Sequence, residues 1–188
     1  MKVSREQAAK NRAHVVEVAG EQFREHGFDG IGIADLMKAA GLTHGGFYAN
    51  FASKEDLAAE AAAKALAETT ERLRQAAGSK CDPNCLVDAY LSPAHRDGVG
   101  QGCALSALAT DAARGGDKLK SVFENGVEGY LDLLTPMMAG ANDAERRKAA
   151  MAALATLLGG LILSRSVQSP DLSADLLAAS AEAIKKSL

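Results

Sequence analysis

The stretch from Ile33 to Leu57 constrains the fold of this chain most, because it predicts two short helices joined by a tight turn. Apolar residues recur at helical spacing at its start, at Ile33, Leu36, Met37 and Ala40. Gly41 follows, where a left-handed residue ends a helix without strain. Thr43 then has the short hydroxyl that caps a second helix. This order predicts a helix-turn-helix, whose second helix can enter a DNA major groove.

The second helix of this motif has two different faces. Phe47 and Phe51 are four residues apart and predict a buried side. Two glycines, Gly45 and Gly46, each cost a helix roughly 1 kcal/mol relative to alanine, so a purely structural helix gains by replacing them. A helix that brings its backbone close to DNA has a reason to keep them. The alternative is a short linker helix in an all-α bundle. Ser53 is the expected cap of the next helix, with Asp56 three residues on.

The segment GFDGIGIADLMKAAGLTHGGFYANFASKEDL resembles the N-terminal domain of TetR-type (tetracycline-repressor-like) regulators, over about residues 10–60. The matching positions, in order, are Gly27-Phe28, Ile33-Ala34, Ala40-Gly41-Leu42-Thr43, Phe47-Tyr48, Phe51 and residues 53–57. The departures are Ile31 and Gly32, where the family usually has Thr or Ser, and Ala49 and Asn50, where an aromatic residue and His are common. The resemblance implies a DNA-binding regulator that pairs as a homodimer.

Composition favours closely packed helices. The 188 residues include only 4% aromatics and no Trp, whereas strands are rich in aromatic and β-branched residues. The net charge is −3. The stretch from Leu36 to Lys54, however, contains Lys38 and Lys54 and no acidic residue. Phosphate binding needs a local basic surface rather than a basic protein. The recurring acids Glu17, Glu21, Glu25 and Asp29 predict one face directed away from DNA.

The pattern of helices and breaks predicts an all-α chain of about nine helices in two parts. We place a helix-turn-helix DNA-binding domain at 1–57 and a ligand-binding and dimerisation domain at 58–188. Their soft boundary falls within a long helix that runs from Ser53 to about Ala77. Ser92 to Gly102, with three glycines and a proline, is predicted as a loop.

Residues for DNA binding divide by their chemistry. Hydroxyls and lysines suit phosphate oxygens, as at Thr43, Tyr48 and Lys54. His44 and Asn50 suit base edges, asparagine being matched to adenine. The full predicted set is Lys10, Arg12, Gly32, Thr43, His44, Gly45, Tyr48, Asn50 and Lys54.

The last two long helices are rich in small and apolar residues, which is typical of a buried or paired helix. An ordinary intrachain core is the alternative to a dimer interface, and a palindromic operator favours a two-fold protein. The resemblance implies pairing through these helices as a four-helix bundle. The predicted interface comprises Ala152, Ala153, Thr156, Leu157, Gly160, Leu161, Leu172, Leu176, Ala179 and Ala183.

The cysteines leave three interpretations open. Cys103 follows a glycine-rich loop and is expected to open a helix, where the helix dipole lowers a thiol pKa. GQGCALSALATDAAR resembles regulators whose cysteine at this place senses electrophiles or oxidants, with Cys81 or Cys85 as a resolving partner. A metal site from the cysteines and His95 fits zinc spacing poorly, and small buried hydrophobes are the third interpretation. A pocket for a small, apolar or electrophilic effector is predicted at Leu86, Tyr90, Cys103, Leu108, Phe123, Val127 and Tyr130.

An enzyme and a DNA-free interaction module are the alternative functions. The sequence has no phosphate loop, nucleophile elbow or HExxH motif, and a loop pair of His95 and Asp97 is a weak acid/base candidate. No cofactor or metal is expected. With no apolar leader after Lys2 and no apolar run long enough for a bilayer, we expect a cytoplasmic protein without a membrane partner.

Overall fold

The computed structural model describes residues 5–78 and 83–188, which form nine α-helices and no strand. The all-α prediction is therefore confirmed. Three 3₁₀ helices lie at His44–Gly46, Val99–Gln101 and Thr135–Met137. The α-helices are α1 Arg5–His26, α2 Ile33–Ala39, α3 Lys54–Gly78, α4 Pro83–Tyr90, α5 Pro93–Asp97, α6 Ala104–Arg114, α7 Asp117–Leu134, α8 Asp143–Ser166 and α9 Pro170–Lys185.

The predicted helix ends follow their local signals. Gly27 after α1 and Gly41 after α2 have φ values of 77° and 68°, the left-handed conformation that favours glycine. Ser53 caps α3, since its hydroxyl accepts the Asp56 backbone N–H at 3.0 Å. Ser4, with Gln7 three residues on, is a capping box that predicts the start of α1, and Ser4 lies outside the described residues. Local chemistry therefore determines where these helices begin and end.

Two segments differ from prediction. The second helix of the motif is not a regular α-helix, because only a 3₁₀ turn at His44–Gly46 and further turns follow Thr43. The Thr43 side chain makes no capping hydrogen bond. Two of the three residues in the 3₁₀ turn, Gly45 and Gly46, are glycines, which disfavour an α-helix. The predicted loop Ser92–Gly102 instead contains α5, because Ser92 accepts the His95 N–H at 3.2 Å and Pro93 occupies the first turn.

One hydrophobic core runs through the chain. In the N-terminal part it contains Phe23, Leu36, Met37 and Phe47, all at most 1% exposed. Helix α3 packs against α1 on one side and α7 on the other, so it links the two parts through Leu57 and Leu66. The helix is continuous through residue 57, and the domain boundary there stays a prediction.

Helix α8 has two opposite faces. One packs in the core through Ala150, Ala153, Leu154, Leu157 and Leu161, each at most 5% exposed. By length and composition α8 is also apolar enough to cross a membrane, and the core helix of a soluble protein passes the same test. In this fold α8 packs against α6, α7 and α9.

Candidate nucleic-acid interface and cysteine site

Residues 43–54 form a segment that we call the recognition segment, with its aromatic side chains divided between core and solvent. Phe47 and Phe51 are 0% and 5% exposed, whereas Tyr48 is 64% exposed. The Tyr48 ring packs edge-on against His44 and Phe47, with centroid distances of 5.9 and 5.2 Å. Buried Phe rings therefore fix the backbone so that Tyr48 and His44 project outward.

Three of the predicted DNA-contact residues differ in how free their polar groups are. The Asn50 side-chain amide donates to the Gly46 carbonyl at 2.8 Å. A bidentate contact with adenine needs one donor and the acceptor of the amide. The second N–H and the oxygen of Asn50 remain available for it, with the amide orientation fixed by Gly46. Thr43 is exposed, and its hydroxyl is free of the capping role we predicted. Gly32 is exposed at the N-cap of α2.

The predicted cations differ in how they are paired. The Arg12 guanidinium makes two hydrogen bonds to Glu60, at 2.5 and 2.6 Å, and lies 4.8 Å from the Phe51 ring centre. The hydrogen bonds to Glu60 raise the pKa of Arg12 and direct its half-exposed side chain toward α3. Lys10 pairs with Glu6 at 2.7 Å, both largely exposed. Among the described residues Lys54 makes no ion pair.

Lys38 belongs to the same basic surface, although our predicted set omits it. It is exposed in the last turn of α2 and has no acidic partner in the described part of the chain. The signal was present in the sequence, since no acid lies between Leu36 and Lys54. Lys38 and Lys54 are thus the cations of this region that are available for phosphate.

A second polar cluster lies inside the C-terminal part, around Cys103. This residue is the N-cap of α6 and is 1% exposed. Its backbone N–H donates to His95 Nε2 at 3.0 Å, which leaves the His95 Nδ1–H to donate to the Tyr90 carbonyl at 2.7 Å. The Cys103 Sγ lies 3.0 Å from the Tyr130 hydroxyl. Cys103 therefore has a hydrogen-bond partner for its backbone N–H, which is His95, and one for its thiol, which is Tyr130.

Burial determines the protonation of this cluster. It lowers the pKa of His95, and the cations Arg165 and Arg72 lower it further against the opposing bond to Tyr90. Burial also raises the pKa of Tyr90 and Tyr130, and the nearby Cys103 adds to both shifts. His95 is therefore neutral at physiological pH, and both phenols keep their protons.

The predicted ligand-pocket residues lie in this part of the core. Six of them are at most 6% exposed and Val127 is partly buried; the six are Leu86, Tyr90, Cys103, Leu108, Phe123 and Tyr130. Five cavities of the described chain have other linings. One of about 330 Å³ lies between the two parts of the chain, where Phe28 and Lys54 face Asp111 and Arg114.

The remaining alternatives for the cysteines and the loop change with the structure. Cys85 is exposed while Cys103 is buried, and Cys81 lies outside the described residues. No group of three metal-ligating side chains occurs in the described ranges. His95 points inward, whereas Asp97 is exposed and pairs with Arg96 at 2.7 Å. The acid/base pair of the enzyme interpretation is therefore not assembled.

Residues 95–103, which we call the 95–103 loop, connect the Cys103 cluster to the N-terminal part. Arg24 of α1 donates from Nε to the Gly100 carbonyl at 2.6 Å. Gln101 donates to Glu21 of α1 at 2.7 Å. Glu21 therefore faces the C-terminal part, away from the recognition segment. The sequence gives no local signal for these contacts, since 76 and 80 residues separate the partners.

The predicted dimer set is split by the fold. Ala153, Leu157, Gly160 and Leu161 lie in the core of the same chain; a Cβ on Gly160 would be 2.4 Å from Ser180 Oγ of α9. Their side chains are covered within the chain and α8 packs on α9, so in this fold these four do not form a surface for a partner chain. Six remain on the outer surface: Ala152, Thr156, Leu172, Leu176, Ala179 and Ala183. Sequence reasoning missed the exposed Met151, Ile162 and Leu163 beside them.

Comparison with known proteins agrees with this geometry. Residues 15–61 match the family of bacterial regulatory proteins named tetR. Over 57 residues the chain is 33% identical to the HTH-type transcriptional regulator AcrR of Shigella flexneri, a match that covers 30% of this chain and 26% of that relative.

Similarity of fold extends over the whole chain. The reduced form of Escherichia coli NemR has a TM-score of 0.78 and 20% identity, covering 94% of this chain and 96% of that one. A TetR-family regulator from Cytophaga hutchinsonii has a TM-score of 0.79 and 20% identity, covering 100% and 98%. The matched residues 15–61 include α2, the turn at Gly41 and most of the exposed recognition segment, which together have the order of a helix-turn-helix. Residues 15–61 are thus similar to the tetR family of bacterial regulatory proteins, and the chain as a whole shares its fold with TetR-family structures.

Proposed function

We propose that the protein binds a palindromic double-stranded DNA operator as a homodimer and releases it when Cys103 is modified or a small effector binds. The observation that carries this proposal is the recognition segment, in which buried Phe47 and Phe51 present an exposed Tyr48. Lys54 and Lys38 add unpaired charge to the same region. Side chains of this kind contact phosphates and fix the protein on the duplex.

The homodimer is supported by the outer surface of α8 and α9. Met151, Leu163 and Leu172 are 49%, 53% and 48% exposed, which is unusual for large apolar side chains on one side of two adjacent helices. Two-fold pairing there gives two recognition segments, as a palindrome requires. For successive major grooves these segments lie about 34 Å apart or a multiple of it.

The 95–103 loop supports a route from Cys103 to DNA. Cys103 and His95 close this loop through the 3.0 Å hydrogen bond, and Gly100 within it accepts from Arg24 of α1. A chemical change at Cys103 that displaces its backbone changes the position at which α1 is bound. Because α1 packs on α2, the separation of the two recognition segments changes with it.

The DNA contacts are tested by fluorescence anisotropy with fragments from the protein's genomic neighbourhood at several salt concentrations. Lys54→Ala should weaken binding to every bound sequence and reduce the salt slope by about 1, because one phosphate contact is lost. Tyr48→Phe should weaken binding with the recognition segment intact. Lys120→Ala is the control, since this exposed lysine lies on α7. Unchanged affinity and slope in both test variants would refute the assigned interface.

The dimer is tested by sedimentation of Leu163→Glu and Leu172→Glu. Each should convert a dimer to a monomer and abolish operator binding, because a charge would be buried without a partner. Ala178→Glu is the matched control, since Ala178 is exposed on α9 and lies roughly 120° around the helix from Leu172. A wild-type protein that is monomeric at micromolar concentration and inert to all fragments would contradict the proposal.

A further inference from the structure

The Tyr90 hydroxyl lies in the core without a hydrogen-bond partner. The residue is 4% exposed, and its hydroxyl makes no hydrogen bond within the described residues. Leaving such a group unpaired costs about 1–3 kcal/mol, so its retention calls for an explanation. Burial raises the pKa of this phenol, and the neighbouring side chains shift that pKa further, Cys103 upward and Ser106 downward, so both lie beside the hydroxyl. The unpaired Tyr90 hydroxyl therefore lies beside Cys103, which is the buried one of the two described cysteines.

We propose that Cys103 is a modification site for small hydroperoxides, and that the Tyr90 hydroxyl hydrogen-bonds the oxygen atom that oxidation adds to the sulfur. This inference rests on the proposed sensor role of Cys103 and specifies its chemistry. The product is a sulfenic acid, the first and reversible step of thiol oxidation. One added oxygen supplies the partner that Tyr90 lacks.

The reaction is balanced with hydrogen peroxide as the co-reactant. The sulfur attacks one peroxide oxygen, so an S–O bond forms as the O–O bond breaks. The sulfur loses two electrons and the peroxide gains them. The second oxygen leaves as hydroxide and takes up the thiol proton, which gives water. Cys103 is left as a sulfenic acid, whose oxygen can accept from Tyr90 or donate to it.

The two tyrosines have separate roles in this scheme. The Tyr130 hydroxyl is 3.0 Å from Sγ in the reduced protein and keeps its proton, so it can donate to the reacting sulfur. Tyr90 has no such bond before oxidation. Tyr130 therefore affects how fast the thiol reacts, whereas Tyr90 affects how long the product lasts.

Burial favours a small oxidant over a bulky electrophile. Cys103 is 1% exposed and belongs to the same buried core as Leu105, Leu108 and Tyr130. A reagent reaches it only by local opening of the fold, and a larger reagent needs a larger opening. The exposed Cys85 provides an internal reference for accessibility.

The test uses the reduced full-length protein treated with hydrogen peroxide or N-ethylmaleimide, trapped with dimedone and mapped by peptide mass. Peroxide should give a dimedone-reactive Cys103, while N-ethylmaleimide modifies Cys85 well before Cys103. In Tyr90→Phe the sulfenic acid should disappear about fivefold faster with its rate of formation unchanged, since one hydrogen bond to the product is lost. Tyr130→Phe should instead change the rate of formation. Tyr90→Phe removes an unpaired hydroxyl, so its thermal stability should not fall.

Three outcomes overturn the inference: an unchanged sulfenic acid lifetime in Tyr90→Phe, equal labelling of Cys103 and Cys85 by N-ethylmaleimide, or a disulfide as the first product. Operator release, measured in parallel with Cys103→Ser as control, separates this inference from the proposed function. Release by N-ethylmaleimide at Cys103 but not by peroxide keeps the sensor and refutes the peroxide site. A stable sulfenic acid without change in DNA affinity keeps the site and refutes the sensor.

Discussion

Glycines have opposite surroundings in the recognition segment and in the 95–103 loop. A Cβ added to Gly45 would meet no atom within 4 Å. A Cβ on Gly102 would lie 2.9 Å from His95 Nε2 and 3.1 Å from the Gly98 carbonyl oxygen. In the loop, glycine is required by the chain's own packing. In the recognition segment nothing within the chain requires it, which indicates a surface shaped for something outside the molecule.

The cationic side chains also differ between the recognition segment and the Cys103 cluster, in whether they have partners within the chain. Lys38 and Lys54 have no acidic partner in the described residues, whereas Arg165 of the Cys103 cluster donates to the carbonyls of Arg96 and His95, at 2.9 and 2.7 Å. Burial lowers the pKa of Arg165. The interior cluster is thus satisfied apart from Tyr90, and the exterior segment is left open. Substitutions in the Cys103 cluster should therefore change the stability of the fold, and substitutions in the recognition segment should change DNA binding.

Gly102→Ala should give the largest loss of stability. Its φ of −81° is available to any residue, so the effect comes from space alone. The new methyl would displace the His95 ring and the bond that it accepts from Cys103, which costs about 1–3 kcal/mol. Urea denaturation measures this change. An unchanged midpoint would show that the loop adapts and is not the rigid element inferred here.

Arg24→Ala should lower stability by about 1–2 kcal/mol, because a charged donor is lost from the Gly100 carbonyl. It should also weaken the response of DNA binding to Cys103 chemistry, since α1 loses its contact with the loop. Arg114→Ala is the control, with a side chain 78% exposed and an ion pair at 3.7 Å, and should change stability by less than about 0.5 kcal/mol. Equal effects in the two variants would remove any special role for the 95–103 loop.

His95 should make the protein less stable as the pH falls below the ordinary pKa of histidine, about 6.5. Its ordinary pKa of about 6.5 applies to the unfolded chain, and burial lowers the pKa in the folded state. Below about pH 6.5 the unfolded chain binds a proton that the folded protein does not, so this contribution to stability is fully present well above pH 6.5 and declines as the pH falls. Thermal unfolding from above to below that pH should show the slope in wild type and a smaller one in His95→Gln. An identical slope in both would assign it to other groups.

The sequence predicted what depends on neighbouring residues. Gly41 and Ser53 have the predicted turn and cap, and Phe47 and Phe51 are buried, because each is determined within one or two helical turns. Contacts between distant segments were not predictable. Arg12 has the positive charge expected of a phosphate contact, yet its guanidinium is hydrogen-bonded to Glu60, which is 48 residues away.

The two faces of α8 show the same limit. Leu157 and Leu163 are equally apolar, yet the first is 1% and the second 53% exposed, because α8 packs against α6, α7 and α9 on one side only. Periodicity predicts that a helix has a buried side. When both sides are apolar, periodicity does not distinguish the side that packs within the chain from the side that remains outside.

Gly45→Ala should give the smallest change in stability and still affect function. The open space around this position, and a φ outside the left-handed region, let alanine replace it at no cost, with a gain of up to about 1 kcal/mol. Operator affinity should nevertheless fall, because the methyl group prevents close approach of the backbone to DNA. Urea denaturation and anisotropy on the same preparation measure both quantities. If Gly45→Ala binds DNA as wild type does, the glycine reflects neither the fold nor the interface, and the contrast with Gly102 no longer identifies the DNA-facing side.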